Sequence, residues 1–270
     1  MTLTGAAIVA GVVGAPVRHS LSPFLHGRWI AAARLDAAYV PFACPPDRFA
    51  AFTQGLRGGT IAGLNVTAPF KREALALADT TDASADAAES ANLLLFHPDG
   101  RIEARSTDGH GVLAAIARRA PALDSSKGPA VILGTGGAAA AAAAALVGAG
   151  WHVRLVGRTV ATTHALAAAT GADAFVWNDP AALVDAVLLI NAVPGDPGVM
   201  PPRDAAALDM TYTGHDTAFL MRATGPVIHG LDMLIAQAEP SFEAFYGVPS
   251  PPIEQREAAI ALLRARALGD

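Results

Sequence analysis

One segment limits the possible folds more than any other. Val131-Ile132-Leu133-Gly134-Thr135-Gly136-Gly137-Ala138-Ala139 runs from a short aliphatic stretch into three glycines and then into a series of alanines. The aliphatic run suits a buried strand and the alanines suit a helix. A Gly-x-Gly-Gly turn between them presents the first N–H groups of the helix, and the positive end of its dipole, at one exposed point. There the backbone can approach an anion such as a pyrophosphate. In an ordinary βα turn the glycines serve only to tighten the chain. The strand before and the helix after favour the phosphate-binding reading.

The same region invites a different reading. From Gly128 to Trp151 the chain carries no charge, a run long enough to imitate a membrane span. Three glycines interrupt it and alanine is only weakly hydrophobic, so a strand, a turn and a buried helix account for it better. The apolar start, Met1 to Ala10, lacks a basic region and reads as a first strand, not as a secretory signal. These readings predict a cytoplasmic protein with no membrane partner. At 52% hydrophobic and 16% charged residues, the 270-residue chain has ample apolar surface for one large or two modest domains, and disorder is excluded. A net charge of −5 without a basic block excludes nucleic acid as an expected partner. Cys44, the single cysteine, rules out an internal disulfide and a multi-cysteine metal site; no metal is expected, and Cys44 itself reads as a small buried hydrophobe.

Strand and helix signals alternate along the chain. In the first half, strands are predicted at 6–13, 39–43 and 61–66, and helices from Ser22-Pro23 to about Leu35 and from Asp47 to Leu56. Ser22 serves as N-cap and Pro23 as the first helical residue. Leu93–Phe96 and Arg101–Arg105 flank Pro98-Asp99-Gly100, a turn signal for a hairpin, so this half is a mixed sheet. In the second half, strands are predicted at 130–133, 152–156, 186–190, 206–210 and 226–228 with helices between most of them, which favours a parallel, doubly wound sheet. The spacing from Ile253 to Ala267 predicts a last helix that packs back on the first domain. The fold class is therefore α/β: a mixed N-terminal domain over residues 1–106, a Rossmann-type domain over 107–235, and a returning helical segment over 236–270.

The second strand of the parallel sheet ends in Val156-Gly157-Arg158-Thr159. About 20 residues past the glycines, an NAD site carries an acidic residue for the ribose 2′-hydroxyl. Here Arg158 stands in that place. Its guanidinium suits a 2′-phosphate and Thr159 offers a further donor, so NADP is expected, with NAD left open. An exposed arginine at a strand end is the alternative.

Three segments of the first half hold the remaining candidate chemistry. Ser20 and Ser22 lie at a strand-to-helix junction, where two hydroxyls and a helix N-terminus suit a carboxylate. Gly63-Leu64-Asn65-Val66-Thr67-Ala68-Pro69-Phe70-Lys71 ends a strand in polar residues and one lysine, although Lys71-Arg72 also fits a surface basic pair. Ser106-Thr107-Asp108-Gly109 follows the hairpin and begins a helix, which Thr107 or Asp108 could cap.

Taken together, these segments resemble the shikimate dehydrogenase family. The resemblance is carried by His19-Ser20-Leu21-Ser22-Pro23, Asn65-Val66-Thr67-Ala68-Pro69-Phe70-Lys71, Thr107-Asp108-Gly109, Gly134-Thr135-Gly136-Gly137-Ala138, Arg158-Thr159, Asp209-Met210-Thr211-Tyr212 and Gly230-Leu231-Asp232-Met233-Leu234-Ile235-Ala236-Gln237, in family order. It implies an oxidoreductase that reversibly reduces 3-dehydroshikimate to shikimate with NADPH, in aromatic amino acid biosynthesis, as a monomer or homodimer acting on a small molecule. It implies Lys71 and Asp108 as the catalytic pair. Ser20, Ser22, Asn65, Thr67, Asn92, Tyr212 and Gln237 would bind substrate. Gly134, Thr135, Gly136, Gly137, Ala138, Arg158, Thr159, Met210, Gly230 and Met233 would bind the cofactor. Three segments depart from the family pattern: Leu93 replaces Thr after Asn92, preceded by Glu89-Ser90-Ala91 in place of Gly-Ala-Val; Ser106 replaces Asn before Thr107; and Gly157 replaces the frequent Asn before Arg158. The alternatives are a quinate/shikimate enzyme or paralogue using NAD or another hydroxylated cyclic carboxylate, and a non-catalytic nucleotide-binding sensor.

Overall fold

The computed structural model describes residues 3–59, 61–252 and 256–268. The chain divides into two compact units, one of Met1–Thr107 with Gln237–Asp270 and one of Asp108–Ala236. The first unit contains β1 (Ile8–Gly14), α1 (Ser22–Ala32), β2 (Ala37–Ala43), a 3-10 turn at Pro46–Arg48, α2 (Phe49–Gln54), β3 (Ile61–Val66), α3 (Lys71–Leu77), the two-residue β4 (Thr80–Thr81), α4 (Ala83–Ala88), β5 (Leu93–Phe96) and β6 (Ile102–Arg105). Its sheet has the order β2-β1-β3-β5-β6-β4. β1 runs parallel to β2 and β3, whereas β5 is antiparallel to both β3 and β6. The expected hairpin is therefore the point at which a parallel sheet turns mixed. Gly100 supplies its turn with φ +89, a region open to glycine, and His97 N–H donates to the Arg101 carbonyl at 2.9 Å. Phe49 and Phe70 stack in the core beneath this sheet, their centroids 4.3 Å apart. Because Phe70 directly precedes α3, the stack fixes the point from which Lys71 projects.

The second unit contains α5 (Asp108–Arg119), β7 (Ala130–Leu133), α6 (Gly137–Gly148), β8 (Val153–Gly157), α7 (Val160–Thr170), β9 (Asp173–Val176), β10 (Leu188–Asn191), β11 (Ala206–Asp209), α8 (Ala218–Met221) and β12 (Val227–Ile228). Its strands are all parallel in the order β12-β11-β10-β7-β8-β9, with the glycine-bearing β7 at the centre. This is the doubly wound order, in which strand succession reverses beside the first strand and opens a crevice at the carboxyl ends. The uncharged stretch resolves into β7 and α6. No helix among the described residues is long and apolar enough to cross a membrane. α9 (Gly230–Tyr246) begins in the second unit and continues into the first, to which α10 (Arg256–Leu268) also belongs. Ile260 and Leu263 of α10 are buried.

Several boundaries differ from the sequence expectation. The helix predicted from Asp47 is a 3-10 turn followed by α2, because Pro46 starts the segment in a tighter winding. α1 stops at Ala32. Ser22 is its first residue, not its cap; the cap is Leu21, which makes no side-chain capping bond. β4 and β9 are strands beyond those expected from the sequence. Residues 253–255 of the expected last helix, and Met1 and Thr2 of the apolar start, lie outside the described residues.

Candidate active site

In the first unit, two loops leave the carboxyl ends of the neighbouring parallel strands β1 and β3. They touch at once: Thr67 N–H donates to the Val13 carbonyl at 3.0 Å and Ala15 N–H to the Ala68 carbonyl at 3.2 Å. A Cβ at Gly14 would overlap the Thr67 methyl, so the β1 loop must be glycine for Thr67 to sit where it does. Beyond Gly14 the chain reaches the start of α1, where Ser20 Oγ accepts from the Ser22 N–H at 3.3 Å. The Ser22 hydroxyl is not spent on capping, and both serines stand at a helix N-terminus, where an anion is favoured.

The β3 loop ends at Lys71, half-buried in the first turn of α3. A cation there opposes the helix dipole, so helix stability does not explain the choice of lysine. Its carbonyl accepts from Ala91 N–H at 2.9 Å, which ties Lys71 to the residue before Asn92.

Asn92 is the hub of a buried polar network. Its Oδ1 accepts from the Thr107 N–H at 2.7 Å; its Nδ2 donates to Thr107 Oγ1 at 2.9 Å and to Gln237 Oε1 at 3.3 Å. Asn65 Nδ2 donates to the Asn92 carbonyl at 3.2 Å and to Ser241 Oγ at 3.0 Å, and Asn65 Oδ1 accepts from the Tyr39 hydroxyl at 2.7 Å. Asn65 of β3, Asn92 just before β5, Thr107 between β6 and α5, and Gln237 of α9 thus converge. Amides and hydroxyls in this density suit neutral ring hydroxyls, since each can donate or accept without a buried charge. Tyr39, Thr107 and Ser241 were not among the expected site residues. Ser241 lies one helical turn after Gln237, the only sequence signal that points to it.

In the second unit, Gly134 follows β7 with φ +120, and a Cβ there would press on Val193 Cγ1 at 3.0 Å. Gly136 is the N-cap of α6, and a Cβ on it would meet nothing within 4 Å. Protein packing therefore leaves the helix start open, as a pyrophosphate requires; Thr135, Gly137 and Ala138 line the same turn. Arg158 and Thr159 are exposed beyond the end of the adjacent strand β8. A Cβ at Gly157 would lie 2.7 Å from Thr135 Cγ2 and would overlap Thr163 Oγ1, which donates to the Thr159 carbonyl at 2.9 Å. The departure from the family pattern at Gly157 is thus matched by the Thr163 hydroxyl. Residues that would hold NADP, a helix start and a neighbouring guanidinium, fit that group.

Beyond β11, Asp209 arranges the following loop. Its carboxylate accepts from Asn191 Nδ2 at 3.0 Å, Thr211 N–H at 2.9 Å and Thr217 Oγ1 at 2.6 Å, while burial raises its pKa above the ordinary aspartate value. This fixes Met210 and the half-buried Tyr212. A Cβ at Gly230 would press on the carbonyls of Thr211, Asp209 and Met210 at 2.7–2.9 Å, so Gly230 and Met210 are neighbours, and Met233 is buried three residues on. Asp108 is buried in the first turn of α5, where the dipole favours a carboxylate. Burial, with the Asp47 and Glu73 carboxylates nearby, pushes the Cys44 thiol up, which suits a packing residue and not a nucleophile. No metal-binding cluster occurs among the described residues.

The profile of the shikimate dehydrogenase substrate binding domain matches residues 12–94. The chain is 49% identical to a protein named shikimate dehydrogenase (NADP(+)) from Caulobacter vibrioides (strain NA1000 / CB15N), over 97% of this chain and 98% of that one. It is 42% identical to a protein of the same name from Acidiphilium cryptum (strain JF-5), over 92% and 94%. Among solved structures, shikimate 5-dehydrogenase of Thermus thermophilus in complex with shikimate aligns with a TM-score of 0.85 at 30% identity, covering 97% of this chain and 100% of that one. A structure of that enzyme in complex with NADP(H) and shikimate aligns with a TM-score of 0.82 at 30% identity, covering 96% and 99%.

Proposed function

This chain belongs to the shikimate dehydrogenase family, and from that premise we propose how its residues carry out the reaction. It reduces the ring ketone of 3-dehydroshikimate to shikimate, reversibly and with NADPH. The observation that carries the assignment of residues is the network joining Asn65, Asn92, Thr107 and Gln237, which gathers neutral hydrogen-bonding groups from four segments. The first unit binds substrate and the second binds NADP. When bound, the reduced nicotinamide supplies the hydride to the ketone carbon.

The protein's part is electrostatic and positional. As negative charge grows on the ketone oxygen, the Lys71 ammonium stabilises it and donates the proton, and solvent later restores that proton to the amine. The Asp108 carboxylate orients the ammonium and accepts from the new hydroxyl. Ser20 and Ser22 hold the substrate carboxylate at the α1 N-terminus, and Asn65, Thr67, Asn92 and Gln237 meet the ring hydroxyls, with Tyr212 beside them. Gly134, Thr135, Gly136, Gly137 and Ala138 cradle the pyrophosphate; Met210, Gly230 and Met233 line the nicotinamide pocket. A single cysteine fits the reducing cytoplasm as its compartment, and the assembly is a monomer or homodimer.

Initial rates followed at the reduced-nicotinamide absorbance band test this reading, with shikimate and quinate each against NADP and NAD. The highest kcat/KM is expected for shikimate with NADP. Turnover of quinate alone would transfer the assignment to a different acid, and tight NADP binding with no turnover of either acid would point to a sensor. Arg158→Ala is expected to raise KM for NADP by about tenfold or more, the loss of one charge-assisted contact of about 1.5–3 kcal/mol, with KM for NAD nearly unchanged. An equal effect on both cofactors would remove Arg158 from 2′-phosphate recognition.

A further inference from the structure

We propose that Ser241 is a positioning residue that sets which face of the Asn65 amide the substrate meets. An asparagine amide has two N–H donors and one oxygen with two lone pairs. Both Asn65 donors are committed inside the protein, one to the Asn92 carbonyl at 3.2 Å and one to Ser241 Oγ at 3.0 Å. The oxygen takes the Tyr39 hydroxyl at 2.7 Å, which leaves one lone pair. Asn65 therefore meets a ligand as an acceptor only, and the ring position in front of it must carry a donor, a hydroxyl and not a ketone.

Ser241 is the member of this arrangement that holds the amide and is not itself proposed to meet the substrate. It is fully buried, with 0% of its surface exposed. Its own hydrogen goes to the Gln237 carbonyl one turn back, at 3.2 Å, so its oxygen faces the Asn65 donor; Thr107 Oγ1 lies 3.4 Å away. Without that oxygen, one Asn65 N–H loses its buried partner and only the Asn92 carbonyl still opposes a half-turn of the amide, so the conformer that turns a donor towards the substrate is less disfavoured. The specificity consequence rests on the proposed substrate-binding role of Asn65; the amide orientation does not.

Two measurements on the full chain keep the two ideas separable. In side-chain amide NMR, with the Asn65 signals assigned by their loss in Asn65→Ala, both Nδ2 protons are expected to exchange slowly, and Ser241→Ala should accelerate exchange at least about tenfold. In kinetics, Ser241→Ala should raise KM for shikimate about tenfold, leave kcat and KM for NADP within about twofold, and add less than about twofold when introduced into Asn65→Ala. Ser241→Thr, which keeps the hydroxyl, should restore most of the affinity. Unchanged exchange in Ser241→Ala overturns the positioning role. The full KM penalty persisting in Asn65→Ala overturns its action through Asn65. Slow exchange in a wild-type protein that does not turn over shikimate would leave Ser241 as an amide anchor and remove the specificity proposal together with the shikimate assignment.

Discussion

Replacing Lys71 with alanine is expected to lower kcat for shikimate oxidation by about a thousandfold while NADP affinity stays within about twofold. The expectation rests on the cost of developing charge. In reduction, hydride arrival without a proton donor leaves an alkoxide with no cation beside it; in oxidation, hydride departure without a base leaves a protonated ketone. A positioned acid–base group contributes on the order of 10²–10⁴-fold, and in the proposed mechanism the same group also supplies the positive charge. The asparagines, threonine and serines proposed to hold the ring cannot accept a proton near neutral pH. Lys71 belongs to the first unit and the phosphate-binding turn to the second, so the cofactor dissociation constant, read by nucleotide fluorescence, should not follow kcat. A variant with ordinary turnover, or one that loses NADP affinity in proportion to rate, would remove Lys71 from the chemistry. Asp108→Asn should also lower kcat, but by less, since an amide still accepts a hydrogen bond but loses the carboxylate charge that orients the ammonium.

The second large effect concerns acid. His26 lies on α1, fully buried, its ring stacked on Tyr39 at a centroid distance of 4.0 Å and edge-on to Trp29 at 5.6 Å. Among the described residues, neither ring nitrogen has a hydrogen-bond partner. Desolvation lowers its pKa from 6.5 to about 3, so the folded protein keeps the imidazole neutral where the unfolded chain would protonate it. Between pH 6.5 and 3 the unfolded state therefore binds the extra proton, and stability falls as pH falls through that window. From neutrality to pH 4 the loss is about 3 kcal/mol from this residue alone, a large share of a typical domain's stability. Urea unfolding midpoints between pH 4 and 7 should show this slope, and His26→Phe, which keeps an aromatic ring against Tyr39, should flatten it by one proton. Parallel slopes for the two proteins would show that His26 is not the acid-sensitive group.

Much of this architecture was legible because local chemistry and global fold agree. β3 and β7 are aliphatic runs whose predicted limits match the structure, and Gly134 can be read as a turn residue since its backbone lies where side chains are disfavoured. β9 was illegible for the opposite reason. It is a four-residue edge strand with exposed ends at Asp173 and Val176, and its apolar run Ala174-Phe175-Val176-Trp177 is too short to tell a strand from a buried helical segment. Ser22 runs against a sound preference: serine does cap helices, but the helix begins at Ser22 itself and Leu21 holds the cap position, its carbonyl accepting from the Leu25 N–H at 3.0 Å. Tyr39, Asn65 and Ser241 come together across separations of 26 and 176 residues, and no local pattern encodes a contact of that range. His26 likewise gives no sequence signal of its burial, since a helical histidine is as common on a wet face.

The close fit of Gly157 to Thr163 constrains how this nucleotide site can change over time. Any side chain at 157 collides with the Thr163 hydroxyl, so a larger residue there is tolerated only after, or together with, a change at 163. Changing position 163 first opens only a small void, which costs little by comparison. A lineage moving between the two solutions is therefore expected to travel through position 163 before position 157, and transplanting asparagine alone into this chain should damage a site that the same residue serves in its own surroundings.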